Sequence, residues 1–212
     1  MIACEVLRQR LELETEETLF SPHAVDRGTL AMLSKAEFLP GDRVLDLGCG
    51  YGVVGILAAR LAGPERVVLC DLSETAVDCA RRNAERNGVA GLKVVVSDGF
   101  DGIRDSGFQW ILSNPPYHTD FSVAKRFIEG GFRRLVVGGR MLMVTKRRDW
   151  YRNKLASVFG GVKVWEIDGY FVFLAEKRGE RPAPNRKEKV PGLSRKLRRK
   201  RERINRTEKT ER

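Results

Sequence analysis

Short apolar runs alternate with longer amphipathic stretches from Val44 to Leu174. The runs "RVLDL", "RVVLCD", "LKVVVSD", "FQWILSN" and "GRMLMVT" are rich in Val, Ile and Leu, and each ends on a polar or turn residue. That is the pattern of short strands buried on both faces. Between them lie helix-like segments: "VVGILAARLA" after the first run, "SETAVDCARRNAERNG" after the second and "FSVAKRFIEGGFRRLV" before the fifth. Ser73 is placed to cap the second of these helices and Gly88 to end it. Strands alternating with helices imply parallel strands joined by right-handed crossovers, an open α/β sheet with helices on both faces. The last stretch, "VKVWEIDGYFVFLAEK", departs from this rule. Its two strand-like runs flank Asp168-Gly169, a hairpin signal that predicts an antiparallel C-terminal edge. Ahead of the sheet, "CEVLRQRLELETEETLFS" alternates weakly and is expected to form a small strand or hairpin.

Composition narrows the picture. A chain of 212 residues with 42% hydrophobic content is long enough for one domain with a buried core. No run reaches the roughly 18 apolar residues of a membrane span. The opening "MIACEVLRQRLELE" carries charges where a signal peptide has its apolar region, so a cytoplasmic protein without membrane association is expected. Four cysteines without CxxC spacing and two histidines suggest neither a zinc site nor a disulfide framework. The net charge of +11 is concentrated at one end. From Arg178 to Arg212 there are 15 Lys/Arg against 5 Asp/Glu, which leaves a body with 24 basic and 23 acidic residues. Few apolar residues and three early prolines predict a disordered tail, and its charge predicts a polyanionic partner.

In an open α/β sheet, ligands bind beyond the carboxyl ends of the strands. The first strand is followed by "DLGCGYGVVG", where Gly48, Gly50 and Gly52 allow a tight turn and close approach to a ligand at a helix start. Gly50, Gly52 and Gly55 also fit GxGxxG, so a nicotinamide dinucleotide enzyme is a second reading. Asp71, at the end of the second strand, is spaced to accept hydrogen bonds from the two hydroxyls of a ribose. Asp98 at the end of the third can accept from the exocyclic amine of an adenine, with Gly99 letting the backbone pass close. The fourth strand ends in "SNPPY". Asn114 offers an amide oxygen, Pro115 and Pro116 stiffen the loop and keep only acceptors, and Tyr117 supplies a flat face for stacking. A planar amine suits that set.

Together, "VLDLGCGYG", Asp71, "SDGF" and "SNPPY" resemble the class I S-adenosylmethionine-dependent methyltransferases that carry an NPPY motif and methylate amines. The resemblance runs from about Phe20 to Lys177. It implies a Rossmann-like, mostly parallel seven-stranded sheet, with S-adenosyl-L-methionine held by Asp46, Gly48, Gly50, Gly52, Asp71, Leu72, Asp98, Gly99 and Asn114. It further implies that Asn114 and the Pro115 carbonyl, in the loop stiffened by Pro116, hold the target amine and that Tyr117 stacks on its ring. The upstream "LFSPHAVDRGTLAML" is similar to the "FS…D.GT" segment of the methyltransferase small-domain family, whose bacterial members methylate the exocyclic amine of guanine in ribosomal RNA. By that likeness Phe20 and Ser21 lie beside cofactor and substrate, and Asp26, Gly28 and Thr29 close over the cofactor. A helix start with Ser21 as cap and Pro22 in the first turn is compatible with it.

The implied organisation is an N-terminal strand and cap segment over residues 1–30, the methyltransferase domain over 31–177 and the basic tail over 178–212. The better-known ribosomal enzymes of the family add a duplicated, cofactor-less amino-terminal domain that helps hold RNA. The 212 residues contain no counterpart, and the tail is the expected substitute, gripping phosphates of ribosomal RNA or a ribosomal subunit. Methylation of adenine in RNA or DNA, methylation of a protein glutamine, and a non-catalytic RNA-binding module are the other readings.

Overall fold

The computed structural model describes residues 1–116 and 121–179. Tyr117 and the tail from residue 180 onward lie outside the described residues.

A hairpin opens the chain, β1 (Ile2–Val6) against β2 (Gln9–Leu13). Helix α1 (Arg27–Leu33) follows, then β3 (Val44–Leu47), α2 (Val53–Ala62), β4 (Val67–Asp71), α3 (Glu74–Arg86), β5 (Lys93–Val96) and β6 (Phe108–Ser113). The second half runs α4 (Phe121–Arg134), β7 (Leu135–Thr145), α5 (Arg148–Phe159), β8 (Lys163–Ile167) and β9 (Tyr170–Glu176). Seven strands form one sheet in the order β5-β4-β3-β6-β7-β9-β8. The first five in that order are parallel, and β9 runs antiparallel to both β7 and β8. The carboxyl ends of β3, β4, β5, β6 and β7 therefore share one edge.

The period of two along each strand divides the core between the two faces. Val44, Val67, Leu69, Trp110 and Leu112 pack with the hairpin and with α1, α2 and α3. Leu45, Leu47, Val68, Ile111 and Met143 pack with α4 and α5. Gly55 explains how closely α2 approaches the sheet: a Cβ there would meet the buried Leu69 Cγ at 2.3 Å. The hairpin is fastened to α3 by two buried asparagines. Asn83 Oδ1 accepts from the Glu14 N–H at 2.6 Å while its Nδ2 donates to the carbonyls of Glu14 and Tyr51. Asn87 does the same for both backbone groups of Glu12.

The seven strands, the C-terminal hairpin and the helices on both faces match the expectation, and Ser73 caps α3 through the Ala76 N–H. Helix α1 differs. It starts at Arg27 with Asp26 as its cap. Ser21 has φ +55°, and its hydroxyl donates to the Ala24 carbonyl, which closes a turn well before the helix. Because α1 spans 27–33, the boundary expected after residue 30 falls inside a helix. Helix α5 is an addition that the sequence pattern did not predict.

Candidate functional site

A cavity of about 380 Å³ opens at the carboxyl edge of the parallel strands. Its floor is the glycine loop between β3 and α2. Gly48 and Gly50 have positive φ, and a Cβ added to either would meet nothing within 4 Å, so the missing side chains leave space that a ligand can fill. Gly52, at φ 96°, is the cap from which α2 starts.

Three strand ends supply carboxylates. Asp46 on β3 is buried and accepts the Gly55 N–H at 2.9 Å, in the first turn of α2. Burial, opposed by that hydrogen bond and aided by the nearby Asp71 charge, raises its pKa from 3.8 to about 7. Asp71, ending β4, accepts the Gly50 N–H on Oδ2 at 2.9 Å and the Ser73 N–H on Oδ1 at 3.0 Å. Each oxygen retains capacity for one further donor. Leu72 beside it is 69% exposed and lines the cavity with Gly99. Asp98, expected to meet an adenine amine, is paired with Arg126, whose two terminal nitrogens lie 3.2 and 2.8 Å from its oxygens. It still lines the cavity, but an amine arriving there shares the carboxylate with a guanidinium.

On the other wall is the β6 exit. Ser113 donates to the Leu47 carbonyl at 2.7 Å, which ties the ends of β6 and β3 together and fixes the start of the Asn114-Pro115-Pro116 loop. The Asn114 Nδ2 donates to Asp26 Oδ2 at 3.0 Å and to Thr29 Oγ1 at 3.1 Å. Asp26 is itself fixed by the Thr29 N–H at 2.8 Å and by the Tyr170 hydroxyl at 3.4 Å. With its nitrogen held from two sides, the Asn114 amide cannot rotate freely, and its Oδ1 is buried with no hydrogen-bond partner among the described residues. An unmatched acceptor at a cavity wall is a place for a donor to bind.

The upstream segment is only partly as expected. Phe20 lines the cavity and is 56% exposed. Ser21 instead uses its backbone, its carbonyl accepting from the Tyr51 hydroxyl at 3.3 Å. Burial pushes the Tyr51 pKa up to about 12, so it remains a donor and holds the segment to the glycine loop. Asp26 and Thr29 line the cavity, whereas Gly28 packs against the Tyr170 ring, 2.7 Å from where its Cβ would be. Tyr170 and Arg126 complete the site and were missed in the sequence, because neither belongs to a motif and both act across long separations.

The described residues that line the cavity include Asp26, Asp46, Asp71 and Asp98 but no Lys or Arg. The cavity is thus suited to a ligand with positive charge. Among the described residues no cluster of His, Cys, Asp and Glu is arranged to hold a metal ion, and no helix is long and apolar enough to cross a membrane.

Residues 10–175 match the methyltransferase small domain family. The chain belongs to that family. Its relatives include proteins named ribosomal RNA small subunit methyltransferase C. The one from Cronobacter sakazakii is 34% identical over 76% of this chain and 48% of its own length. That from Pseudomonas putida is 32% identical over 82% and 56%. The chain thus spans about half the length of the curated relatives it matches. Among solved structures, the T. thermophilus 16S rRNA N2 G1207 methyltransferase (RsmC), in complex with AdoMet and guanosine, superposes with a TM-score of 0.75. It is 27% identical, over 84% of this chain and 50% of that one. The glycine loop and the Asn114-Pro115-Pro116 loop come from adjacent strands, β3 and β6.

Proposed function

We propose that the protein transfers a methyl group from S-adenosyl-L-methionine to the exocyclic amine of a guanine in ribosomal RNA, in the cytoplasm. The observation that carries the reading is the Asn114 Oδ1, buried and without a hydrogen-bond partner among the described residues, on a cavity-lining side chain whose nitrogen is held by Asp26 and Thr29.

The residues fit this cofactor. Gly48 and Gly50 open a cradle that a Cβ would fill, Asp71 has acceptors left for two hydroxyls, and Leu72 presents an apolar surface for a planar ring. The carboxylates favour a group carrying a sulfonium and an ammonium. They weigh against the nicotinamide reading, since a pyrophosphate would be brought beside Asp46 and Asp71, and none of the described residues that line the cavity is Lys or Arg. Gly55, the third glycine of that pattern, has its own explanation in the packing of α2 on Leu69.

When bound, S-adenosyl-L-methionine supplies an electrophilic methyl that needs no acid from the protein. The protein's part is orientation. Asn114 Oδ1 accepts one N–H of the amine, and by the family resemblance the Pro115 carbonyl accepts the other. Held this way, the nitrogen lone pair is turned out of conjugation with the ring and toward the methyl donor. Asn and Pro carbonyls are acceptors, not bases, and the surplus amine proton is left to solvent. Ribosomal RNA is favoured over DNA or a protein glutamine by the relatives' names, and guanine over adenine by the N2 G1207 activity and the guanosine of the T. thermophilus complex. The 15 cations of the tail suit the phosphates of RNA.

Asn114→Ala tests the assignment. Turnover is expected to fall about 100-fold or more, with cofactor affinity by calorimetry within a few fold of the parent. Loss of cofactor binding in the variant would remove Asn114 from the amine and place it on the cofactor.

A further inference from the structure

Three consecutive cations, Lys146, Arg147 and Arg148, follow the end of β7 on the same edge as the cavity. All three are exposed, and none has a carboxylate partner among the described residues. Their position is electrostatically unfavourable for the fold. They occupy the start of α5, where the helix dipole places partial positive charge and where carboxylates are normally favoured. Arg147 holds the cap position without making a side-chain cap, and Asp149 is the one acidic residue of the first turn.

Each cation lies over an aromatic ring instead. Lys146 Nζ is 5.0 Å from the Tyr170 ring centre, Arg147 Cζ is 5.1 Å from Phe121 and Arg148 Cζ is 5.8 Å from Phe171. Phe121 is stacked on Trp150 at 4.3 Å. One of these rings is tied to the site: the Tyr170 hydroxyl donates to Asp26, which accepts from Asn114. Phe121 begins α4, the helix that follows the Asn114-Pro115-Pro116 segment in the chain. The rings keep the long side chains in place over the surface while leaving their N–H groups free to donate.

From this arrangement we propose that Lys146, Arg147 and Arg148 form a phosphate-binding rail that seats the RNA strand flanking the target nucleotide. The inference rests on the reading of the substrate as RNA. It accounts for a cost that the fold alone does not explain, because phosphates supply the negative charge that the helix start lacks. It also separates two electrostatic tasks, with carboxylates lining the cavity and cations following the end of β7 on the same edge of the sheet.

The test is the salt dependence of binding of a fluorescent single-stranded RNA oligonucleotide to the full chain. Three phosphate contacts contribute a slope of about −2 in log affinity against log salt. The variant Lys146→Gln/Arg147→Gln/Arg148→Gln is expected to lose that much slope, so that the affinity gap to the parent narrows about 20-fold between 50 and 200 mM salt. Arg147→Lys/Arg148→Lys is expected to keep the parental slope. So is Arg133→Gln, at the opposite end of β7. If the triple variant melts early, Lys146→Gln and Arg148→Gln alone are each expected to lower the slope by about 0.7. A parental slope in the glutamine variants, with RNA still bound, overturns the rail and leaves the proposed function standing. Equal losses in the lysine and glutamine variants also overturn it, pointing to packing rather than charge. A parent chain that binds no RNA at any salt overturns both.

Discussion

The two ends of the Asn114 side chain have different surroundings, and that difference is the basis of its role. Its nitrogen has two acceptors, Asp26 Oδ2 and Thr29 Oγ1, and its oxygen has no donor among the described residues. Asp26 is therefore a positioning residue. Asp26→Ala is expected to let the amide rotate and to cut turnover about 10- to 100-fold, the loss of one charge-assisted hydrogen bond; steady-state kinetics with a cofactor titration checks it. Asp46 gives a pH signature. Its native pKa of about 7 lies above the ordinary 3.8, so the folded state keeps a proton that the unfolded chain releases. The stability it confers is full below about pH 4 and is lost as pH rises to about 7. Asp46→Asn removes this dependence. Denaturant unfolding is expected to show the variant gaining on the parent from pH 4 to pH 7, by on the order of 4 kcal/mol at most. A difference that stays flat means that Asp46 titrates normally. At this scale the motif residues were legible because each follows a strand end, whereas the bond from Asp26 to Asn114 joins positions 88 apart and leaves no local trace.

Helices and strands were legible where one hydrophobic period dominated. The runs ending at Leu47, Asp71, Val96 and Ser113 became β3 to β6, and the alternation around Asp168-Gly169 became the β8–β9 hairpin. Helix α5 was hidden because its first turn is Arg148-Asp149-Trp150, with cations where a cap signal is sought. The start of α1 was displaced from Ser21 to Asp26 because the turn that Ser21 makes to Ala24 competes with capping. The α2–β4 contact is the element on which the glycine loop depends. Gly55→Ala would drive a methyl into Leu69, which is fully buried and cannot retreat. The expected cost is about 1–3 kcal/mol, measured by chemical denaturation of the variant and the parent.

Over the whole molecule, charge is sorted by task. Carboxylates line the cavity, while the chain as a whole is cationic, with its excess in the tail. A cationic methyl donor and a polyanionic acceptor are the ligands that the proposed function sets against this distribution. The tail's basic character was plain in the sequence, and Asp26, Asp46, Asp71 and Asp98 were each expected beside the cofactor; the Arg126 guanidinium that pairs with Asp98 was not, because it comes from α4 and belongs to no motif. The most direct measurement is methyl transfer itself. The purified protein would be incubated with methyl-labelled S-adenosyl-L-methionine and, separately, total RNA, ribosomal subunits, DNA and protein extract from a strain lacking the gene, and the labelled products identified after digestion. The account predicts label in N2-methylguanosine from ribosomal RNA. Label in adenine or glutamine would contradict the assigned substrate, and cofactor binding without label in any pool would contradict the proposed catalysis.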